Sequence, residues 1–341
     1  MLTRQAPFEA LTYRAQVARL RRLALRAAEA FGLEPKRMRL LGHGENTTYR
    51  VLDHDGQGYM LRIHRAGYQS GPGILEELSW LSALRRQTAL RVPEPVASLT
   101  GELLTTIAVE GVPEPRHCAL FRWLPLRFRY WSLGPKAVGQ VAEATGLLQR
   151  YVLERGGLPA SHRRRWDTEG LLGATAHWGD VAAIEGFVPK ERTQVLEVRT
   201  RLVGLLQEAE ADPANLGLIH ADLHEGNYGF EGQRVTFIDF DDCGQGFWLY
   251  DPAVTLFALR QHPRFPALQK AYLETYAAYR PLGERETKLL EALMMARVMS
   301  GCAWVHTRSD NPQVARHAKS ARAWVVSAAE RYLKTGSCLG A

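Results

Sequence analysis

Polar residues that bind metal ions and move protons are concentrated between residues 218 and 250. Asp222 follows a short apolar stretch, Asn227 comes five residues later, and Asp239 follows after twelve more, behind a second apolar stretch. Two carboxylates and an amide from adjacent loops of a short hairpin offer the oxygen ligands that Mg²⁺ prefers, together with substrate phosphates. A carboxylate that does not bind the metal can accept the proton of a hydroxyl nucleophile. The pattern therefore predicts a metal-assisted site with one basic carboxylate.

Length and composition bound the class of protein. The chain has 341 residues, of which 46% are hydrophobic and 23% are charged, as expected for a globular protein of two domains or lobes. Its 4 cysteines show no CxxC spacing, which argues against a zinc site or a disulfide framework and favours the cytoplasm. No apolar run is long enough to span a bilayer, so we expect no membrane contact. The net charge of +7 favours an anionic ligand, but no nucleic-acid recognition motif accompanies it.

The spacing of apolar residues divides the chain into three parts. Residues 1–36 are typical of a helical segment, residues 37–124 of an antiparallel sheet, and residues 125–341 of a mainly helical region. In the sheet region, strands are expected near 38–41, 48–52, 59–64, 96–98, 103–109 and 118–123, with one helix over 74–86. This order predicts an α+β protein with a small sheet part before a larger helical part.

Two local features of the helical region concern its boundaries and its surface. Asp251 and Pro252 are the residue types that open a helix, with the aspartate as N-cap and the proline in the first turn. The basic run from His162 to Arg165 lies in an irregular stretch rich in Trp, Arg and Gly. We expect this run at the solvent-exposed surface.

The polar stretch between residues 218 and 250 resembles the catalytic segments of kinases. His220, Asp222 and Asn227 have the spacing of the protein-kinase catalytic loop, with Ala221 where that loop has arginine. Asp239 begins an Asp-Phe-Asp unit where protein kinases have Asp-Phe-Gly. The forms HADLHEGN and IDFDD look more like the aminoglycoside phosphotransferase and choline kinase-like family. The resemblance implies a protein-kinase-like two-lobe fold, with a small antiparallel-sheet N-lobe and a larger, mainly helical C-lobe.

The resemblance also implies a role for each polar residue of this stretch. Asp222 would be the catalytic base or the carboxylate that orients the acceptor hydroxyl. Asn227 and Asp239 would bind Mg²⁺ and, through it, the phosphates of ATP. His220 would brace the loop. Two roles stay open for Asp251, namely the helix N-cap or a buried acceptor for the amides of the catalytic loop.

The nucleotide contacts implied by the resemblance lie in the sheet region. Gly42 and Gly44 stand between two strands, where backbone N–H groups could approach phosphates, although the same residues suit an ordinary hairpin turn. Arg62 takes the position of the strand lysine that contacts the α- and β-phosphates. Its expected carboxylate partner is Glu77, which shares a helix face with apolar residues, and Glu76 is the alternative.

The adenine contacts are assigned by position alone. The segment that joins the sheet to the helical region runs from Phe121 through Trp123 to Pro125. The resemblance implies that the backbone groups of Phe121 and Trp123 contact the base.

These residues predict an ATP- and Mg²⁺-dependent phosphotransferase that moves the γ-phosphate to a hydroxyl acceptor, most readily a small molecule. Two alternatives share the fold: a serine/threonine protein kinase and an inactive nucleotide-binding pseudokinase. The second is suggested by Arg62 and by the altered glycine turn. A hydrolytic metal site built on His220, Asp222 and His224 is a further alternative. Its additional ligands would have to come from His64, His117 and His177.

The acceptor and the oligomeric state stay open. Residues 155–200 carry basic and acidic side chains in near balance, which disfavours a polycationic acceptor and allows an anionic or zwitterionic one. A choline-type acceptor would require an aromatic cage around its cation. Four tryptophans of the helical region could supply such faces, although core packing is their commoner use: Trp131, Trp166, Trp178 and Trp248.

Overall fold

The chain folds into two compact units, Met1–Pro125 and Leu126–Ala341. A computed structural model describes residues 8–155, 161–309 and 312–339. Residues 1–7 of the predicted N-terminal helical segment lie outside these ranges. The residues predicted to bind nucleotide fall in the first unit, whereas the catalytic loop and the predicted metal ligands fall in the second. No helix of the described ranges is both long and apolar enough to cross a membrane.

The N-terminal unit consists of an antiparallel sheet and two long helices. Its elements in chain order are α1 (Tyr13–Ala30), β1 (Pro35–His43), β2 (Asn46–Asp53), β3 (Gly58–His64), α2 (Gly71–Gln87), β4 (Pro95–Val96), β5 (Leu104–Ile107) and β6 (Arg116–Arg122). The strand order is β1-β2-β3-β6-β4, and β5 also pairs with β6. Every pairing in this sheet is antiparallel, so the predicted sheet class is correct.

The hydrophobic pattern explains why α1 belongs to this unit. Helix α1 buries Leu20 and Leu23 in one cluster with Tyr49 and Val51 of β2 and Leu61 of β3. Residues three apart lie on the same face of a helix, and residues two apart lie on the same face of a strand, so each element directs these side chains into the cluster. The N-terminal helix is therefore part of the core of the sheet unit.

Two boundaries differ from the sequence prediction for local reasons. Helix α2 begins at Gly71 rather than at residue 74, because the Ser70 side chain accepts a hydrogen bond from the N–H of Gly73 at 3.1 Å and caps the first turn. Strands β4 and β5 are shorter than predicted. The N–H of Ser98 donates to the carbonyl of Glu102 at 2.8 Å, which turns the chain between them.

The C-terminal unit is mainly helical. Its helices are α3 (Pro135–Leu153), α4 (Thr168–Leu172), α5 (Pro189–Glu210), α6 (Tyr250–Leu259), α7 (Phe265–Tyr276), α8 (Glu284–Thr307), α9 (Pro312–Ala315) and α10 (Ala318–Thr335). Its strands are β7 (Arg165–Trp166), β8 (Leu216–Ile219), β9 (Tyr228–Glu231), β10 (Arg234–Phe237) and β11 (Gly244–Phe247). With a sheet-rich first unit and a helical second one, the chain has the predicted α+β architecture.

The short strands of this unit hold the polar stretch. Strands β9 and β10 form a hairpin whose turn contains Gly232 at a φ of 62°. Tyr228 pairs with Phe237, so the residue before β9 and the residue after β10 lie at the same end of the hairpin. Strand β8 pairs instead with β11. This pairing requires glycine at position 246, where a Cβ would come within 3 Å of Ile219 and of Trp166.

Candidate active site

The backbone of the catalytic loop is held by a buried carboxylate. Asp251 is fully buried and accepts hydrogen bonds from the N–H groups of His220 at 3.0 Å and Ala221 at 2.8 Å. Ala221 has a φ of 68°, a conformation that costs a residue with a Cβ roughly 1–2 kcal/mol. Burial raises the pKa of Asp251 to about 7, against the opposing effect of the two N–H donors. Asp251 therefore stabilises a strained turn directly before Asp222.

Of the two roles left open for Asp251, the structure shows the amide acceptor. Helix α6 begins at Tyr250, and its N-cap residue is Leu249. The predicted N-cap role of Asp251 is wrong because the carboxylate is used by the catalytic loop rather than by the first turn of its own helix.

His220 links the catalytic loop to the segment that carries Asp239. Its buried ring donates from Nε2 to the carbonyl of Ile238 at 2.9 Å, while Nδ1 accepts from the N–H of Asp222 at 3.4 Å. Burial lowers the pKa of His220 to about 4, so the ring is neutral at physiological pH. Because both ring nitrogens are used in these bonds, His220 has no nitrogen left for a metal. This contact speaks against the hydrolytic alternative and shows the bracing role.

The carboxylate of Asp222 lies among three donors. Its Oδ1 accepts from Nη2 of Arg297 at 2.6 Å, and its Oδ2 lies 3.1 Å from Nδ2 of Asn227 and 3.4 Å from Nε2 of His224. The side chain is 19% exposed. Burial disfavours the charged form, but Arg297 and His224 outweigh this effect and hold the pKa of Asp222 well below its usual range. Asp222 is therefore ionised, partly accessible and fixed in position.

Asn227 precedes β9 and Asp239 follows β10 by two residues, at the same end of the hairpin. The N–H of Ile238 donates to the carbonyl of Asn227 at 2.9 Å, which places Asp239 one residue from this contact. The Asn227 Nδ2 group donates to the carbonyl and the carboxylate of Asp222, so its Oδ1 remains an acceptor. Asp239 has a φ of 60°. Such left-handed conformations at residues with a Cβ concentrate at functional sites.

An amide oxygen beside a carboxylate suits Mg²⁺, because that ion is completed by water and substrate phosphates. The residues present at the hairpin end therefore fit the predicted metal. Within residues 8–155, 161–309 and 312–339, no cluster of three or more His, Cys, Asp or Glu side chains has a metal-binding arrangement.

The segment after Asp239 is anchored by an arginine that the sequence placed at the surface. Arg163 is only 5% exposed, and its Nε donates to the carbonyl of Cys243 at 2.7 Å. Its Nη2 donates to the carbonyls of Phe240, at 3.3 Å, and Asp241. The predicted surface location of this basic run is therefore wrong for Arg163, because the turn after Asp239 needs donors for its buried carbonyl groups.

In the N-terminal unit, Arg62 and Glu77 form a buried ion pair. Nη2 of Arg62 lies 2.5 Å from Oε1 of Glu77, and the side chains are 3% and 1% exposed. Arg62 is on β3 and Glu77 is on α2, so the pair joins the central sheet to the helix. The guanidinium also lies over the ring of Phe121, 4.9 Å from its centroid. A planar cation stacked on an aromatic ring is an arrangement that lysine would not reproduce.

Gly42 and Gly44 lie at the β1–β2 turn, where neither is demanded by the packing of this unit. A Cβ at Gly44 would meet no atom within 4 Å, and one at Gly42 would meet only the Thr48 hydroxyl at 3.7 Å. The hydroxyl of Thr47, at the position of the third kinase glycine, bonds Nδ1 of His43 at 2.7 Å. The turn is thus fixed by side chains, whereas the glycines leave space above its backbone.

The predicted adenine segment is partly used by the sheet. Phe121 is buried and pairs with Met60 of β3. The N–H of Trp123 donates to the carbonyl of Gly58 at 2.9 Å. A contact from the Trp123 backbone to a base would therefore use its carbonyl oxygen. A Cβ at Gly58 would lie 2.8 Å from the Cβ of Trp123, so this approach requires glycine.

Comparison with known proteins identifies the family of this chain. The family model described as "Phosphotransferase enzyme family" (APH) matches residues 37–286, well over half of the chain. The chain belongs to this family.

Relatives of this phosphotransferase are small-molecule kinases. It is 27% identical over 258 residues to amicoumacin kinase of Bacillus subtilis strain 168, covering 72% of this chain and 70% of that one. The solved structure of a microcompartment-associated aminopropanol kinase is 30% identical, with a TM-score of 0.81 and coverage of 92% and 98%. An amicoumacin kinase in complex with AMP-PNP, Ca²⁺ and Ami shares the fold at 20% identity, with a TM-score of 0.74 and coverage of 92% and 96%.

The predicted family, fold and class of reaction are thereby confirmed. The protein is a phosphotransferase with the kinase-like fold, and its named relatives are kinases of small molecules. The hydrolase and protein-kinase alternatives have no support among these relatives.

Arg297 is the site residue that sequence reasoning missed. It lies on α8 in the stretch Leu293–Ala303, where most side chains are buried and apolar. A single arginine in a buried helical stretch is itself a signal, because a buried cation requires a partner. For Arg163 no comparable signal exists, since its neighbours His162 and Arg164 give the run the composition of a surface loop.

Proposed function

We propose that this phosphotransferase transfers the γ-phosphoryl group of ATP, with Mg²⁺, to the hydroxyl of a small amino alcohol. The observation that carries the reaction is the arrangement of Asp222, Asn227 and Asp239. Asn227 bonds Asp222 directly, and the contacts of His220 and Asn227 with the backbone of Ile238 hold the residue before Asp239. This set supplies one ionised carboxylate beside oxygen ligands for a cation.

In the proposed reaction, the bond between the γ-phosphorus and the ADP oxygen breaks, and a bond to the acceptor oxygen forms. Asp222 accepts a hydrogen bond from the hydroxyl, and the hydroxyl proton is released to solvent once the bond to phosphorus has formed. A loose transition state asks for little basicity from the protein, and positioning supplies most of the catalysis. A carboxylate with a lowered pKa suits this task, because it orients the hydroxyl as a hydrogen-bond acceptor and stays charged.

The proposed nucleotide contacts are assigned residue by residue. Asn227 Oδ1 and the Asp239 carboxylate would hold Mg²⁺, which neutralises phosphate charge when bound. Arg62, held by Glu77, would contact the α- and β-phosphates. The turn with Gly42 and Gly44 and the segment of Phe121 and Trp123 complete the proposed contacts. The proposed location is the cytoplasm, in keeping with four scattered cysteines that show no CxxC spacing.

The amino alcohol class is supported by similarity and by the loop itself. The aminopropanol kinase is matched over 98% of its length. Glu225, three residues after Asp222, has a buried Oε2 without a hydrogen-bond partner among the described residues. A primary ammonium donates three hydrogen bonds and suits such a carboxylate.

A tryptophan cage for a quaternary ammonium has less support. Trp166, Trp178 and Trp248 are 5% exposed or less. The guanidinium of Arg297 lies over Trp178 at 4.4 Å, and that of Arg280 lies over Trp248 at 5.5 Å. Trp178 and Trp248 are therefore covered by cations of the protein and Trp166 stacks on Tyr250, in agreement with core packing as their use, whereas Trp131 is 75% exposed.

The test is an ADP-release assay with Mg²⁺–ATP and a panel of hydroxyl compounds, with the phosphorylated product identified by ³¹P NMR. We expect turnover with 1-amino-2-propanol and ethanolamine, and little with 1,2-propanediol or choline. Equal kcat/KM for the diol would contradict the amine requirement. The Asp222→Asn variant is the control, and it should remain folded and bind ATP without turnover. Turnover by this variant at the wild-type rate would refute the role of Asp222.

A further inference from the structure

Arg297 makes the shortest contact to the proposed acceptor-orienting carboxylate. Its Nη2 lies 2.6 Å from Asp222 Oδ1, and its side chain is 12% exposed. The two residues are 75 positions apart in the chain and belong to different elements. The charge-assisted geometry is stronger than that of a neutral hydrogen bond. Helix α8 thus determines where the carboxylate of the catalytic loop lies.

Aromatic side chains prevent the guanidinium from turning away. Arg297 lies over the ring of Trp178, 4.4 Å from its centroid, and the hydroxyl of Tyr250 lies against the same guanidinium. Trp178 packs edge-to-face on Trp166 at 5.3 Å, and Trp166 stacks on Tyr250 at 5.9 Å. Trp166 thus packs against both of the aromatic residues that contact Arg297. Packing of this kind limits Arg297 to the rotamer that meets Asp222.

The hydrogen-bond capacity of Asp222 shows what this contact achieves. An ionised carboxylate offers about four acceptor positions. Donors of the protein take three of them, from Arg297, Asn227 and His224. Nδ1 of His224 accepts from the N–H of Gly226 at 3.0 Å, so its Nε2 carries the proton that faces Asp222. About one acceptor position is left for an incoming hydroxyl.

We propose that Arg297 is a positioning residue that fixes the Asp222 carboxylate so that a single acceptor position faces the phosphate-accepting hydroxyl. The proposal rests on the proposed function of Asp222 and adds a residue from outside the catalytic loop. Without the guanidinium, the carboxylate would rotate about its χ angles, and a displacement of about 1 Å can lower the rate on the order of 100-fold. Binding of Mg²⁺–ATP does not use this contact, so the KM for ATP should stay unchanged.

The experiment compares Arg297→Ala and Arg297→Lys with the wild type in Mg²⁺–ATP turnover, with water and with 1-amino-2-propanol as acceptors. We expect Arg297→Ala to lose on the order of 100-fold in kcat at an unchanged KM for ATP. Guanidinium ions added at millimolar concentration should restore part of the kcat of this variant, but not raise that of the wild type. The kcat of Arg297→Lys should lie between those of Arg297→Ala and the wild type, because lysine keeps the charge but not the planar guanidinium.

The matched control is Arg192→Ala, which removes another half-buried arginine of the same unit. Arg192 donates to the carbonyls of Ala182 and Ile184, each at 2.8 Å. This control should lower the melting temperature and leave kcat unchanged. A folded Arg297→Ala protein with kcat within about twofold of the wild type would overturn the positioning role, as would a loss confined to the KM for ATP. A wild-type protein without any Mg²⁺–ATP turnover would instead overturn the proposed function.

Discussion

The carboxylate of Asp251 accepts a hydrogen bond from the N–H of Ala221 at 2.8 Å, and Ala221 has a left-handed backbone with a φ of 68°. Its second oxygen accepts from His220 at 3.0 Å. The turn that delivers Asp222 is therefore held from the first turn of α6, 30 residues further along the chain. A conformation that costs free energy in an isolated loop is maintained by a buried carboxyl group.

We predict that Asp251→Asn destabilises the protein and slows turnover. An amide keeps one oxygen acceptor but turns an NH₂ group toward the second backbone donor. One buried N–H then loses its partner, which costs about 1–3 kcal/mol in the free energy of unfolding. Urea unfolding measures this change. Asp212→Asn is the control, because the exposed Asp212 caps a short turn that asparagine also caps. Equal stability of both variants would contradict the anchoring role.

A second prediction concerns the pH dependence of His220. Its pKa is lowered by burial to about 4, below the value of 6.5 of the unfolded chain. The unfolded state therefore binds more protons in this interval, and stability falls as the pH drops from 6.5 to 4. Above pH 6.5 the ring is neutral in both states, and its contribution to the free energy of unfolding is complete. Between pH 6.5 and pH 4 the free energy of unfolding falls by roughly 3 kcal/mol through this group.

The measurement is the free energy of unfolding of the wild type minus that of His220→Gln, from pH 4 to pH 8. Taking the difference removes the opposing contribution of Asp251. Because the pKa of Asp251 is raised in the folded state, this group makes the protein less stable as the pH rises toward 7. The difference should shrink on acidification. A difference that is constant over this range would show that the ring is not buried in its neutral form.

Whether a contact of the site can be predicted from the sequence depends on how far apart its two residues lie in the chain. Helical spacing places Glu77 on the inner face of α2, and the structure shows it paired with Arg62. The pairing of a short hairpin brings Asn227 next to Ile238, the residue before Asp239. By contrast, Arg163 reaches carbonyls 77 to 80 residues away, and Arg297 reaches Asp222 over 75. The spacing of apolar residues along the sequence does not predict such contacts, because tertiary packing alone brings the partners together.

A third prediction tests Asp239 as a metal ligand. Asp239→Asn removes the charge, while asparagine tolerates the left-handed backbone at this position. We expect the affinity for ATP to fall on the order of tenfold in the presence of Mg²⁺, and not in its absence. Calorimetry with and without Mg²⁺ measures both. Asp242→Asn is the control, since the neighbouring Asp242 pairs with Arg164 at 3.6 Å. Equal losses in both variants would argue against a specific ligand.

A fourth prediction concerns Arg163 as the anchor of the same segment. Arg163→Lys can satisfy fewer of the carbonyls of Phe240, Asp241 and Cys243 than the guanidinium does. We expect a loss of about 1–3 kcal/mol in stability together with weaker Mg²⁺–ATP binding. Arg165→Lys, at an exposed position of the same run, is the control for charge and should change neither quantity.

The last prediction separates the structural role of the Arg62–Glu77 pair from its proposed role in nucleotide binding. Arg62→Met leaves Glu77 as a buried carboxylate without this partner, and breaking such a pair costs about 3–5 kcal/mol. Replacing both residues with methionine removes both charges, so the double variant should recover most of that stability. If Arg62 contacts phosphates, the double variant will still bind ATP poorly, because the cation is absent. Recovery of both stability and ATP affinity would show that the pair serves only to hold α2 on the sheet.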